Sequence, residues 1–150
     1  MQREYPERPL VGVGVVVRRD DRVLLVRRAK PPRANAWSLP GGLQKLGETV
    51  FAAAAREVRE ETGVIADGWR LIAIADLIEH DDSGRVRYHY TLIDVAATWC
   101  AGEAVAGDDA CAVVWAGVDD LARFELWDET LRVIRLAFAS ADADAPSSGA

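Results

Sequence analysis

With 150 residues, half of them hydrophobic, the chain is long enough for one domain with a real core, burying roughly two thirds of the surface its unfolded form exposes. Eighteen basic against twenty-four acidic residues give a net charge of −6, which argues against a nucleic-acid backbone as partner and leaves phosphate binding to a few local groups. No apolar run reaches the roughly 18 residues that span a membrane, no N-terminal stretch has a signal peptide's cleavage pattern, and Cys100 and Cys111 lack C-x-x-C spacing, so a soluble cytoplasmic protein with reduced thiols, buried or idle, is expected.

In chain order, residues 10–17 and 22–27 are β-branched runs separated by Arg18, Arg19, Asp20 and Asp21, a charged turn that predicts a hairpin. A short strand at 37–39 leads into Gly41 and Gly42, and a helix follows to Thr62. Two longer β-like stretches, 69–79 and 87–99, are joined by the turn signal HDDSGR. A further strand is predicted at 112–117, a brief helical turn at 119–123, and a closing helix at 129–139 with Leu131, Ile134, Arg135 and Phe138 at helical spacing. The pattern is α+β. Residues 1–140 read as a single domain, and 141–150, ADADAPSSGA, have too few large apolar groups to repay ordering, so a frayed tail is expected.

The stretch 41–64, GGLQKLGETVFAAAAREVREETGV, is the densest in chemistry. At about 100° per residue, Glu57, Glu60 and Glu61 fall at i, i+3 and i+4 and project from one side of a helix. Phe51, Ala55 and Val58, with Thr62, fall on another face, so the helix is expected to have a core side and an anionic side. Thr49 is placed to cap its start and Gly63 to end it. Gly41 and Gly42 follow Pro40, which suggests a turn or loop where the backbone takes positive φ or approaches a ligand closely. Like charges four apart cost roughly 0.2–0.5 kcal/mol in an isolated helix. A divalent cation turns that repulsion into coordination, and oxygen-only ligands select Mg²⁺ or Mn²⁺. Taken alone, E-x-x-E-E also fits a solvated acidic face with Arg56 paired to Glu60.

The rest of the segment decides between those readings. It resembles the signature of the Nudix hydrolases, the MutT-like family, G-x5-E-x7-R-E-U-x-E-E-x-G-U with U a bulky aliphatic. Gly42, Glu48, Arg56, Glu57, Val58, Glu60, Glu61, Gly63 and Val64 fill every specified position, a match with a chance on the order of 10⁻⁸ in a chain of this length. The resemblance implies the Nudix fold, a mixed β-sheet sandwiched between α-helices, over about residues 9–139. It implies that loop, helix and loop form one catalytic unit in which Glu57, Glu60 and Glu61 hold metal ions. Arg56 would orient a neighbouring carboxylate, and Glu48 would serve either behind those ligands or at an additional metal site. One departure is visible: many members carry a further Glu where this chain has Lys45, which puts metal contact from that position in doubt. Family members are often dimers, so a homodimer is a further expectation.

Divalent metal neutralises diphosphate oxygens and lowers the pKa of water, so the implied reaction is hydrolysis of a diphosphate linkage in a small nucleotide. The general base is either a box glutamate or an acid of the loop AGEAVAGDDA, which supplies Glu103, Asp108 and Asp109; Asp109 is the residue we single out. Residues 23–42, VLLVRRAKPPRANAWSLPGG, are similar to a subgroup described as ADP-ribose pyrophosphatases. Here Arg28 and Arg33 offer guanidinium forks to phosphates, Gly41 and Gly42 line the phosphate turn, and Trp37 either stacks on a base or packs in the core. Three functions follow: cleavage of ADP-ribose to AMP and ribose 5-phosphate or of a related nucleoside diphosphate derivative, removal of pyrophosphate from nucleoside triphosphates including oxidised ones, and nucleotide sensing without catalysis.

Overall fold

A computed structural model describes residues 2–29, 33–107 and 109–144, with side chains described through residue 140. Strand β1, Leu10–Arg19, is the axis of a mixed sheet. One edge pairs in parallel with β6, Val86–Ala101, from Leu10↔Tyr90 to Arg18↔Thr98. Beyond β6 lies β5, Ile65–His80, its antiparallel partner and the outer strand. The other edge of β1 is shared: β2, Arg22–Arg28, pairs there only at Arg18↔Val23 and Arg19↔Arg22, and β4, Gly41–Leu43, takes over at Gly12, Val13 and Gly14. Past the hairpin β2 therefore leaves β1 and pairs with β3, Trp37–Ser38, and with β7, Ala110–Gly117. The sheet forks, and Leu39–Pro40 crosses the fork, with the Pro40 carbonyl accepting from the Val15 amide at 2.9 Å.

Strand alternation sorts the core onto two faces. Val13, Val15, Val17, Leu24 and Val95 point to the face covered by α1, Val50–Thr62, and meet Ala53, Ala54 and Val58. Val16, Val23, Leu25 and Ala96 point to the opposite face, where α2, Asp128–Asp144, contributes Val133, Ile134 and Ala137. A mixed sheet between helices is thus what the chain forms. Among the described residues no helix is long and apolar enough to cross a membrane.

Several boundaries move, each for a local reason. The expected four-residue turn shrinks to Asp20 and Asp21, with Asp20 in the left-handed region at φ 55°. Arg18 and Arg19 stay in β1 because their guanidinium groups lie on Phe138 and Trp99, 4.7 and 3.8 Å from the ring centres. Gly41 and Gly42 are extended residues of β4 rather than a positive-φ turn. The helical turn is a 3₁₀ segment at Leu121–Phe124. The closing helix runs on to Asp144, so the backbone of 141–144 is helical where fraying was expected; residues 145–150 lie outside the described set.

Helix α1 begins and ends as its caps require. The Thr49 hydroxyl accepts from the Ala52 amide at 3.0 Å, and Gly63, at φ 72°, donates back to the Arg59 carbonyl. Its sides differ from expectation. Phe51 is exposed, and the buried stripe is Ala53, Ala54, Val58 and Thr62. Small side chains let the helix lie close to the sheet, and by the 100° rotation Glu57 and Glu61 emerge between Ala53, Ala54 and Val58 rather than opposite them. The acidic residues are aimed into the molecule.

Gly63→Ala places a Cβ at a left-handed residue that ends this helix. The substitution is expected to lower unfolding free energy by about 1 kcal/mol, read from the urea midpoint at unchanged slope; a midpoint equal to wild type would show that the cap is not strained.

Candidate active site

Arg56 organises the acidic side chains. Its Nε and Nη2 hold both oxygens of Glu48, at 2.6 and 2.9 Å. Its Nη1 donates to Glu57 at 2.8 Å and to Glu60 at 3.2 Å, and Nη2 also reaches the Leu43 carbonyl at 3.1 Å. Planar donors in a fixed fork make this possible, which a lysine lacks. The guanidinium beside Glu48, helped by the Lys45 amide at 2.8 Å, holds that carboxyl down to about 2. Of the two roles left open for Glu48, the geometry is that of a clamp on Arg56. At Lys45 the backbone, not the side chain, supports the carboxylates.

Gly41 and Gly42 are where β4 meets α1. A Cβ on Gly42 would stand 2.5 Å from the Glu57 carboxyl, and one on Gly41 would run into the Val13 carbonyl. Close approach, not unusual φ, therefore requires both glycines. The Gly41 amide faces Glu61 Oε1 at 3.4 Å. Burial pushes the Glu61 carboxyl up to about 8, helped by its hydrogen bond with Glu57 and by that neighbour's charge; the Gly41 amide and the Arg28 guanidinium pull the other way. Glu57 and Glu61 thus form a half-buried carboxyl pair. Glu60, whose carboxylate is 41% exposed, turns toward Arg56 instead of joining that pair.

The acidic loop lies across the C-terminal end of α1. The amides of Val105 and Gly107 donate to the carbonyls of Thr62 and Glu61, both at 2.9 Å, so the last turn of the helix is satisfied by loop backbone. The loop then reaches β2, where the Asp109 carbonyl accepts from Ala29 at 2.8 Å. Asp109 is therefore brought to the strand end that carries Arg28. Glu103 is not: it lines a separate cleft with Arg19, Trp99 and Trp115. Asp108 lies outside the described residues. Arg33, at φ 59°, forms an exposed pair with Glu79 at 3.5 Å, and its hydrogen-bonding edge is turned to that strand. Trp37 is half-buried, packed against the core and edge-on to Phe124 at 5.4 Å.

Sequence reasoning missed Asp94. It stands in the run TLIDVAAT of β6 on the α2 face and is only 7% exposed. The signal was available, because a carboxylate in the middle of an otherwise apolar strand has no ordinary reason to be there. Burial raises its carboxyl to about 6, with the Glu129 charge adding and Arg132 opposing.

Comparison with known proteins follows the same lines. The family model described as NUDIX domain matches residues 8–137. A Methanocaldococcus jannaschii protein named ADP-ribose pyrophosphatase is 36% identical over 68% of this chain and 58% of its own length. A Streptomyces ambofaciens MutT-like protein is 53% identical over 34% of this chain and 31% of its own length. The chain thus spans little more than half of the first of these relatives and less of the second. The crystal structure of a MutT NUDIX hydrolase from Burkholderia pseudomallei superposes with a TM-score of 0.75 and 31% identity, covering 87% of this chain and 98% of that one.

Asp94 carries a pH signature. Because its carboxyl in the folded protein titrates near 6 rather than at its ordinary 3.8, its contribution to stability is fully present below about 3.8 and is lost as pH rises through about 6. Asp94→Asn should therefore be more stable than wild type at pH 8, by about 3 kcal/mol, with the advantage gone at pH 3.5. Parallel denaturation curves at the two pH values, with the same difference in both, would show that Asp94 is not buried as described.

Proposed function

The chain belongs to the Nudix family, and from that premise we propose that it hydrolyses the diphosphate of a nucleoside diphosphate linked to another moiety, ADP-ribose cleaved to AMP and ribose 5-phosphate being the leading case. The observation that carries this reading is the carboxyl pair Glu57 and Glu61, set against a glycine strand and locked by Arg56. The substrate assignment draws on the Methanocaldococcus relative's name and on the segment before Trp37.

The donor set fits a hard divalent ion. Glu57 and Glu61 offer oxygen only, and their crowding is relieved either by a shared proton or by a cation, so these two would hold Mg²⁺ or Mn²⁺, with Glu60 one helical position away. Such an ion, when bound, neutralises diphosphate oxygens and lowers the pKa of water. The chain's own groups do the rest. Gly42 lets the Glu57 carboxyl lie against bare backbone, and Gly41 lets β4 pair closely with Val13 and Gly14. Arg28, whose charge reaches Glu61, offers a fork to a phosphate, and Arg56 holds Glu48, Glu57 and Glu60 in fixed orientation. Asp109, at the same strand end as Arg28, is our choice for the group that takes the proton from water, with the box glutamates as its competitors.

A homodimer has a surface available in outer strand β5, where Leu71, Ile74 and Ile78 are exposed. We place the protein in the cytoplasm, consistent with its two free cysteines.

The test is incubation of the purified protein with Mg²⁺ and ADP-ribose, other nucleoside diphosphate sugars, dinucleotide polyphosphates and nucleoside triphosphates, with products identified by chromatography. AMP and ribose 5-phosphate, abolished by EDTA, are expected; preferential release of pyrophosphate from triphosphates would favour the nucleoside triphosphate reading instead, and silence in a folded, nucleotide-binding sample would favour a sensor. Glu57→Gln and Glu61→Gln should each lower kcat at least a hundredfold with Tm unchanged or raised, and Glu60→Gln should do less damage than either. Near-wild-type turnover in all three would remove the carboxylates from the chemistry.

A further inference from the structure

Asp94 is a buried carboxylate that the hydrolytic site does not use. It pairs across β1 with Gly14, and its Oδ1 lies 2.5 Å from where a Gly14 Cβ would stand, with Leu39 Cδ1 against the same point. Two residues along β1 the pattern repeats: Gly12 leaves room for Leu92, whose Cδ2 would lie 3.0 Å from a Cβ there. The two glycines thus let Asp94 and Leu92 lie flat along the sheet. The charged groups facing Asp94 are on the first turns of α2. Arg132 is already paired with Glu129, with Nε to Oε2 at 2.9 Å.

Among the described residues Asp94 accepts no hydrogen bond. A buried carboxylate without a donor is costly, and native structures keep such a group only where something compensates. Among the same residues no sealed side-chain oxygen lacks a partner, so the Asp94 carboxylate must open to solvent at its edge. It is an acceptor set in an apolar wall and 7% exposed. Gly14 pairs in turn with Gly41, whose amide faces Glu61. Asp94 is therefore two strand spacings, about 10 Å, from the strand that borders the carboxyl pair. β4 is three residues long and, among the described residues, no strand pairs with its other edge.

We propose that Asp94 is a specificity residue: it accepts a hydrogen bond from the exocyclic amine of the substrate's nucleobase while the diphosphate sits at Glu57 and Glu61. The inference rests on the nucleoside diphosphate reading above and names the part of the substrate that this chain inspects. A planar base suits the flat apolar strip of Leu92, Leu39 and the two glycines better than a ribose does. A charged acceptor left without its donor penalises any base that lacks the amine, which is how a buried polar group discriminates strongly.

The test compares AMP with purine riboside 5′-monophosphate, the same nucleotide without the exocyclic amine, by equilibrium binding to wild type, Asp94→Ala and Asp94→Asn. Wild type should bind AMP at least tenfold more tightly than the analogue, Asp94→Ala should bring that ratio to about one, and Asp94→Asn should fall between. Equal binding of the two nucleotides by wild type, or a preference that survives in Asp94→Ala, overturns the proposal and leaves Asp94 as a packing residue under α2. Binding needs no turnover, so a chain that discriminates through Asp94 yet cleaves no diphosphate sugar would refute the hydrolytic reading and keep this one. Both variants are expected to fold, since each removes a buried charge, and Asp94→Asn controls for the volume lost in Asp94→Ala.

Discussion

Three carboxylates converge on one guanidinium and leave a fourth, Glu61, without it, and the rest of the site follows from that shortage of positive charge. Arg56 can satisfy Glu48 fully, and Glu57 and Glu60 through a single nitrogen, and it has no donor left for Glu61. The deficit falls on the Glu57 and Glu61 pair, where burial makes it expensive. Burial and the neighbouring Glu57 push the Glu61 carboxyl toward its neutral form, which makes up the difference. A divalent cation would do so better, since it satisfies both oxygens at once and need not choose between them. The clamp on Glu48 also has a purpose beyond its own pair: by holding both of its oxygens, the guanidinium is fixed in plane, and Glu57 is fixed with it.

That arrangement depends on backbone rather than on side chains. α1 can bring Glu57 and Glu61 to the sheet only because its inner face is alanine and valine, and β4 can receive them only because it begins with two glycines. The glycines in turn need a strand to pair with. The early parting of β1 and β2 supplies it, since it frees the edge of β1 at Gly12, Val13 and Gly14. Fork, glycine strand and helix are three expressions of one requirement, which is to place carboxylates against bare backbone. The loop of residues 102–107 completes the enclosure by satisfying the last helical carbonyls with its own amides.

The legibility of this in the sequence divides by range. Local rules worked where one residue decides an outcome: Thr49 and Gly63 cap the helix as expected, and the β-branched runs became β1 and β2. The carboxylate spacing placed Glu57, Glu60 and Glu61 on one side of the helix, where Arg56 reaches Glu57 and Glu60. What the spacing could not supply was direction, because a helical projection shows which residues share a side but not which side meets the sheet. Phe51 looked like a core residue by type and turned out exposed, while two alanines carried the packing. Gly41 and Gly42 were ambiguous for the same reason. Positive φ and close approach both call for glycine, and only the position of Val13 and Glu57 distinguishes them. Among the loop acids, separation in space was invisible: Glu103 and Asp109 are near neighbours in the chain, yet one lines a cleft with Trp99 and the other meets β2.

Asp94 shows why the two faces of the sheet belong to one account. Its alternation with Val95 sends neighbouring residues to opposite sides, so the same strand that closes the core beneath α1 presents a carboxylate beneath α2. Glycine is the common device. On one side Gly42 makes room for Glu57, and on the other Gly14 makes room for Asp94, and the two glycine strands are bonded to each other through Gly14 and Gly41. A substitution on either strand would therefore be felt on both faces, through a backbone with no side chain to absorb the shift. On the readings proposed above, phosphate chemistry and recognition of what the phosphate carries would both depend on this single pair of strands, which would constrain the two to change together.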